Sequence, residues 1–134
     1  MMSPTSFSRG SFEAEIGDLL KKFITGGRAV AECAIETSDG IRVADVAWIS
    51  KERYEPHRKA INLPIAPEIC VEIISNSNTR EEMLGKMQLY FAAGAKEVWL
   101  CDEDGKMEFF AFDAVGSLPL SRLCAEFPVR VELD

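Results

Sequence analysis

The sequence predicts a single α/β domain built on a mixed sheet with helices flanking it. Three observations carry that expectation. Apolar residues recur at helical spacing in two segments, around Phe12–Phe23 and Met83–Phe91. Short runs with strand character lie between and after them. Their order is helix, strand, strand, strand, helix, strand, strand. A hairpin followed by a strand–helix–strand unit puts antiparallel and parallel neighbours in one sheet. The chain has 134 residues, about the size of one domain, and is 47% hydrophobic, enough for a real core. No repeat or long linker divides it, so one domain is expected over residues 1–134.

Residues 1–10 are rich in Ser, Pro and Gly and are expected to be flexible. Phe12, Ile16, Leu19, Leu20 and Phe23 then form the apolar stripe of a first helix, which "TGG" at 25–27 ends. Residues 28–37 suit a strand, "SDG" at 38–40 a turn and 41–49 a second strand, together a hairpin. "SKERYEPHRKAINLP" is polar with two prolines and reads as a surface loop. Its cations flank an aromatic, as in some nucleic-acid contacts, though a solvated loop has the same composition. Residues 69–74 form the third strand. "SNSNT" offers helix N-cap residues, and 80–93 reads as a helix with Met83, Leu84, Met87, Tyr90 and Phe91 facing inward. Gly94 ends it. A fourth strand at 97–101, the turn "DEDG" and a fifth strand at 107–112 follow. The tail keeps short apolar patches at 118–123 and 129–133.

The first residues, "MMSPTSFSRGSF", contain no apolar stretch of signal-peptide length, and no run approaches the roughly 20 residues of a membrane helix. A soluble, cytoplasmic protein is expected. Cys33, Cys70, Cys101 and Cys124 are far apart and form no C-x-x-C pair; small packed thiols are the simpler reading than a zinc site. His57 is the one histidine, too little for a Ser-His or Cys-His mechanism. The net charge of −7 argues against a surface coated in nucleic acid, but not against a local phosphate site.

Two carboxylates interrupt apolar strands: Asp45 in "IRVADVAWIS" and Glu72 in "EICVEIIS". A buried carboxylate costs several kcal/mol unless it is paired. Alternation places Asp45 with Val43 and Ala47, and Glu72 with Cys70 and Ile74. If the two faces coincide, the acids converge and repel, and a divalent cation relieves the repulsion; oxygen ligands completed by water suit magnesium. Lys86, on the next helix, is placed to lean over the end of that strand, where an ammonium can hold a phosphate or orient a water. Each residue also has a plainer role open to it. Asp45 can pair with Arg42 or cap a turn, Glu72 can join a structural ion pair, and Lys86 can answer Glu82 on the helix surface. Glu13 and Glu15 both flank the first apolar stripe, and periodicity does not choose between them.

The blocks "GIRVADVAWISKERY", "PEICVEIISNSN" and "LGKMQLYFAAGAKEVWLCDEDGKMEFF" resemble the Uma-two family of putative restriction endonucleases, within the PD-(D/E)XK nuclease superfamily. The similarity runs from about Ser11 to Phe112. It implies a restriction-endonuclease-like core of helix, three strands, helix and strand. It implies that Asp45 and Glu72 are the metal-binding acids and that Lys86, on the helix rather than the strand, is the catalytic lysine. It favours Glu15 over Glu13 as the first-helix glutamate. Tyr90 matches a position where the family also carries an aromatic. Ala44 and Asn76 stand where the family usually has proline, and neither is a metal ligand.

The leading expectation is therefore an endonuclease that hydrolyses phosphodiester bonds in DNA with Mg²⁺, Mn²⁺ being a possible substitute. Its site is Asp45, Glu72, Lys86 and Glu15, and a homodimer is plausible. The alternative is a catalytically inactive module of the same fold that binds nucleic acid or protein. A redox or zinc protein would rest on the cysteines alone.

Overall fold

The computed structural model describes residues 6–133. Helix α1 (Phe7–Phe23) opens on Ser6, whose hydroxyl accepts the Arg9 N–H at 3.1 Å. The helix thus begins inside the stretch expected to be flexible. A side-chain cap overrides the loose composition there, while residues 1–5 lie outside the described residues. Gly26, at φ +87, turns the chain into the sheet.

Strands β1 (Gly27–Thr37) and β2 (Gly40–Ser50) form the expected hairpin. β3 (Ile69–Ile73) runs antiparallel to β2, β4 (Glu97–Cys101) parallel to β3, and β5 (Met107–Ala111) antiparallel to β4. The result is a five-stranded mixed sheet in the order β1-β2-β3-β4-β5. Helix α3 (Arg80–Ala92) makes the parallel crossover and starts with a capping box between Thr79 and Glu82.

The polar segment after β2 is more structured than a surface loop. It holds a helical turn, α2 (Lys51–Tyr54), and a 3₁₀ turn at Glu55–His57. Arg53 ties it down, donating to the carbonyls of Ala66 at 2.7 Å and Gly94 at 2.8 Å and pairing with Glu68.

Each sheet face is covered. Phe12, Ile16 and Leu20 of α1 pack on Val46, Trp48, Val71 and Trp99. The tail closes the same face: Phe127 lies 4.6 Å from Trp99 between ring centroids, with Cys124 and Val131 beside it. On the opposite face Met83, Met87 and Tyr90 of α3 cover Cys70, Val98 and Leu100. All four cysteines are free and buried. Among the described residues no helix is long and apolar enough to cross a membrane.

Candidate active site

The site forms where two strands part. β2 and β3 pair at Trp48–Ile69, Ala47–Cys70 and Val46–Val71. One further step in that register sets Asp45 opposite Glu72, but no rung forms there. On the other side of β2, the rung between Asp45 and Glu32 is also missing, and Glu32 carries φ +51. Two unpaired neighbours free the backbone at Asp45 to turn. Strict alternation therefore fails at this position: Ala44 and Ala47 belong to the α3 side, while Val46 and Trp48 belong to the α1 side. The expected grouping of Asp45 with Val43 and Ala47 is replaced by a side chain set in the gap between strands. There its Oδ2 accepts the Ile73 N–H at 2.7 Å, closing the open ladder, and its Oδ1 pairs with the Arg9 guanidinium of α1.

Glu72 keeps the regular alternation and faces α3 beside Cys70. Its two oxygens are used separately. Lys86 Nζ donates to Oε1 at 2.9 Å, and the Tyr90 hydroxyl donates to Oε2 at 2.8 Å. Lys86 and Tyr90 are four residues apart and share one helix face. The ammonium also reaches the Val43 carbonyl at 3.2 Å, so it bridges β3 to β2 across the parting. Burial pushes the Glu72 carboxyl up to about 7; the nearby Asp45 charge adds to this, while Lys86 and Tyr90 act against it. Burial and the adjoining Glu72 together push the Tyr90 phenol far above its ordinary value. At neutral pH Tyr90 is therefore a hydrogen-bond donor, not a base.

These contacts bear on the earlier alternatives: Glu72 does pair with a helix residue, Lys86. Arg42 pairs with Asp39 at 2.5 Å, not with Asp45. Lys86 turns inward to Glu72, while Glu82 serves the cap of α3. The first helix carries two candidate glutamates, Glu13 and Glu15. Burial raises the Glu13 carboxyl, and the charges of Asp45 and Glu32 raise it further while Arg9 lowers it, so Glu13 lies in the field of Asp45. It sits one turn after Arg9, on the side of α1 that meets Asp45. Glu15, the residue favoured by the resemblance, lies about 200° around the helix from Glu13. Ser75–Thr79 is the expected cap, and His57 belongs to the 3₁₀ turn at the edge of the sheet.

Sequence reasoning missed Arg9. Burial works against its charge, yet the bond and charge of Asp45, with Glu72 and Glu13 behind them, raise its pKa above the ordinary value. Arg9, Arg42, Glu72, Ile73 and Lys86 line a cleft of about 630 Å³ that opens at this point.

The donor set can be tested against a metal. Among the described residues no group of three or more His, Cys, Asp or Glu is gathered to hold an ion. A closed cage for zinc or calcium is therefore not built here. Magnesium, however, keeps several waters and is commonly held by one or two carboxylates. Asp45 and Glu72 offer two, and each carboxylate oxygen has lone pairs beyond the partner it now holds. The pair fits magnesium in that water-rich mode.

A family model described as "Uma2: Putative restriction endonuclease" matches residues 1–118. Among solved structures, the chain is similar to the crystal structure of "a putative nuclease belonging to DUF820" from Anabaena variabilis ATCC 29413. The TM-score is 0.74 at 15% identity, over 93% of this chain and 78% of that one. At that identity the likeness speaks for the fold. No curated protein matches the chain.

Proposed function

The chain belongs to the Uma2 family of putative restriction endonucleases, and from that premise we propose a magnesium-dependent endonuclease that hydrolyses phosphodiester bonds in DNA. The observation that carries the reading is that the β2–β3 register sets Asp45 and Glu72 opposite each other just past its last rung, near enough for the Asp45 charge to raise the Glu72 carboxyl, with Lys86 bonded to Glu72 at 2.9 Å. An ion held by the two carboxylates, Mg²⁺ or Mn²⁺ in its place, would polarise a phosphate oxygen and lower the pKa of a bound water.

The chain's own residues do the rest. The Ile73 N–H fixes Asp45 Oδ2, and the Arg9 guanidinium, which lines the cleft, holds Oδ1. Tyr90 holds Glu72 Oε2 and thereby fixes the plane of that carboxylate. Lys86, already at the parting, neutralises negative charge on a phosphate or orients the attacking water. Glu13, in place of Glu15, is suited to hold outer waters through its partly buried carboxyl. Cutting both DNA strands would be the work of a homodimer in the cytoplasm.

A second reading is a non-catalytic binding module of the same fold. It is favoured by the Arg9–Asp45 pair and by the lack of a third ligand among the described residues. One experiment separates the two: incubate the protein with DNA and Mg²⁺ or Mn²⁺ beside a Glu72→Ala, Lys86→Ala double variant. Cleavage confined to the wild type supports the enzyme. Equal activity, or none in either, removes it.

A further inference from the structure

We infer that Arg9 stands in for the divalent cation while none is bound, and that metal and guanidinium compete for the same carboxylate, Asp45. The inference rests on the metal-dependent reading above and adds to it a built-in control of metal occupancy.

Arg9 feels three acids: Asp45 directly, and Glu72 and Glu13 at longer range. Asp45 and Glu72 are both buried, and two like charges in such a place repel unless a cation lies between them. Lys86 answers Glu72. Among the described residues Arg9 is the one cation paired with Asp45. It performs the neutralising task that a metal would perform.

Asp45 Oδ2 is committed to a backbone N–H of β3. That bond caps a buried ladder end and is costly to break. The oxygen open to a ligand is Oδ1, and Arg9 occupies it. A metal taking Oδ1 must displace Arg9 or share the oxygen with it.

Arg9 is also free to leave. Its side chain is 41% exposed against 7% for Asp45. It springs from the first turn of α1 and lines the open cleft, so release costs it no burial in a core. Asp45 cannot move out with it, which makes Arg9 the exchangeable partner.

The test is a calorimetric titration of the whole protein with Mn²⁺, without DNA, for wild type, Arg9→Gln and Arg42→Gln. Arg42 is the control: it lines the same cleft but pairs with Asp39, so its loss changes the local field without freeing Asp45. Arg9→Gln is expected to bind Mn²⁺ roughly tenfold more tightly than wild type, the effect of losing one charge-assisted bond. Arg42→Gln is expected to stay within about twofold, as befits an exposed pair. Unchanged or weaker binding in Arg9→Gln, or an equal gain in both variants, overturns the inference while leaving the metal site standing. Absence of Mn²⁺ binding in every protein is a different result: it removes the metal reading itself, and the inference with it. If circular dichroism shows Arg9→Gln unfolded, Arg9→Lys takes its place. Lysine keeps the charge but loses the planar fork, so roughly threefold tighter binding is expected, and no gain refutes.

Discussion

Replacing Glu72 by Gln tests the electrostatics of the site without any substrate. The substitution keeps the shape and removes the ionisable group. Burial raises the Glu72 carboxyl from 4.5 to about 7. The unfolded chain restores the ordinary value, so between these two pH values the folded protein holds a proton that the unfolded chain has lost. Stability then falls as pH rises, because the slope follows the protons bound unfolded minus those bound folded. The contribution is fully present below 4.5 and is lost by the time pH has passed about 7. At 1.36 kcal/mol per pH unit the gap amounts to about 3 kcal/mol. The assay is urea unfolding of wild type and Glu72→Gln in EDTA, in steps from below pH 4.5 to above pH 7. Taking the difference between the two proteins cancels the other titrating groups to first order. The advantage of Glu72→Gln over wild type should grow by about 3 kcal/mol across this window, with a slope near 1.4 kcal/mol per pH unit inside it. A flat difference, or one that shrinks with pH, would show that Lys86 and Tyr90 satisfy the ionised carboxylate completely, and the reasoning from burial would be wrong. Above pH 7, Mn²⁺ should restore stability to wild type and not to Glu72→Gln, because only the ionised carboxylate can take the ion.

Two further perturbations separate parts of the structure. Glu13→Gln should weaken Mn²⁺ binding by roughly threefold, as expected for a group acting through outer waters and weaker than the 10–100-fold typical of a ligand's direct support, whereas Glu15→Gln should leave it unchanged; calorimetry decides, and the reverse pattern would restore Glu15. Glu97→Gln should destabilise the fold by about 2–4 kcal/mol in urea, because the new amide group faces donors that had shared a carboxylate. Trypsin should then cut after Arg122 in the native state; an unaltered digest and midpoint would mean that Glu97 does not hold the tail.

The order of elements was legible because it is written in local patterns: the stripe of α1, the turn at 38–40, and the single carboxylate that marks "ICVEI" as a strand with a task. Lys86 and Tyr90 were legible too, since four residues on a helix share a face. Three things were not. The parting of β2 from β3 is a matter of register between distant segments, and alternation along one strand assumes that the ladder continues. That assumption misplaced Asp45 at the rung where the ladder stops. The choice between Glu13 and Glu15 depends on which side of α1 meets the parted strands, which the helix's own stripe does not encode. Arg9 was hidden by composition: it lies in a Ser, Pro and Gly-rich segment, and only the Ser6 cap brings it into the helix that aims it at Asp45.

Glu97 shows how far a buried carboxylate in a strand can be read from sequence. It is 1% exposed, against 3% for Glu72, and both open or interrupt apolar runs. Yet its oxygens meet Trp99 Nε1 at 2.9 Å and the Ser121 hydroxyl at 2.6 Å on one side, and the N–H groups of Arg122 and Leu123 at 3.0 and 2.8 Å on the other. All four donors are neutral and belong to the fold. They clasp the tail against the α1 face, and among the described residues the acid has no charge partner to exchange. Glu72 has two donors, one of them an ammonium that also lines an open cleft. A carboxylate fully satisfied by backbone and ring N–H groups and a buried hydroxyl is a fastening, since any new ligand would have to break the fold to reach it. One answered by a movable cation beside solvent can trade that cation for another. The distinction lies in the donors, not in the burial, and it is why the proposed chemistry is assigned to Glu72 and Asp45 rather than to Glu97.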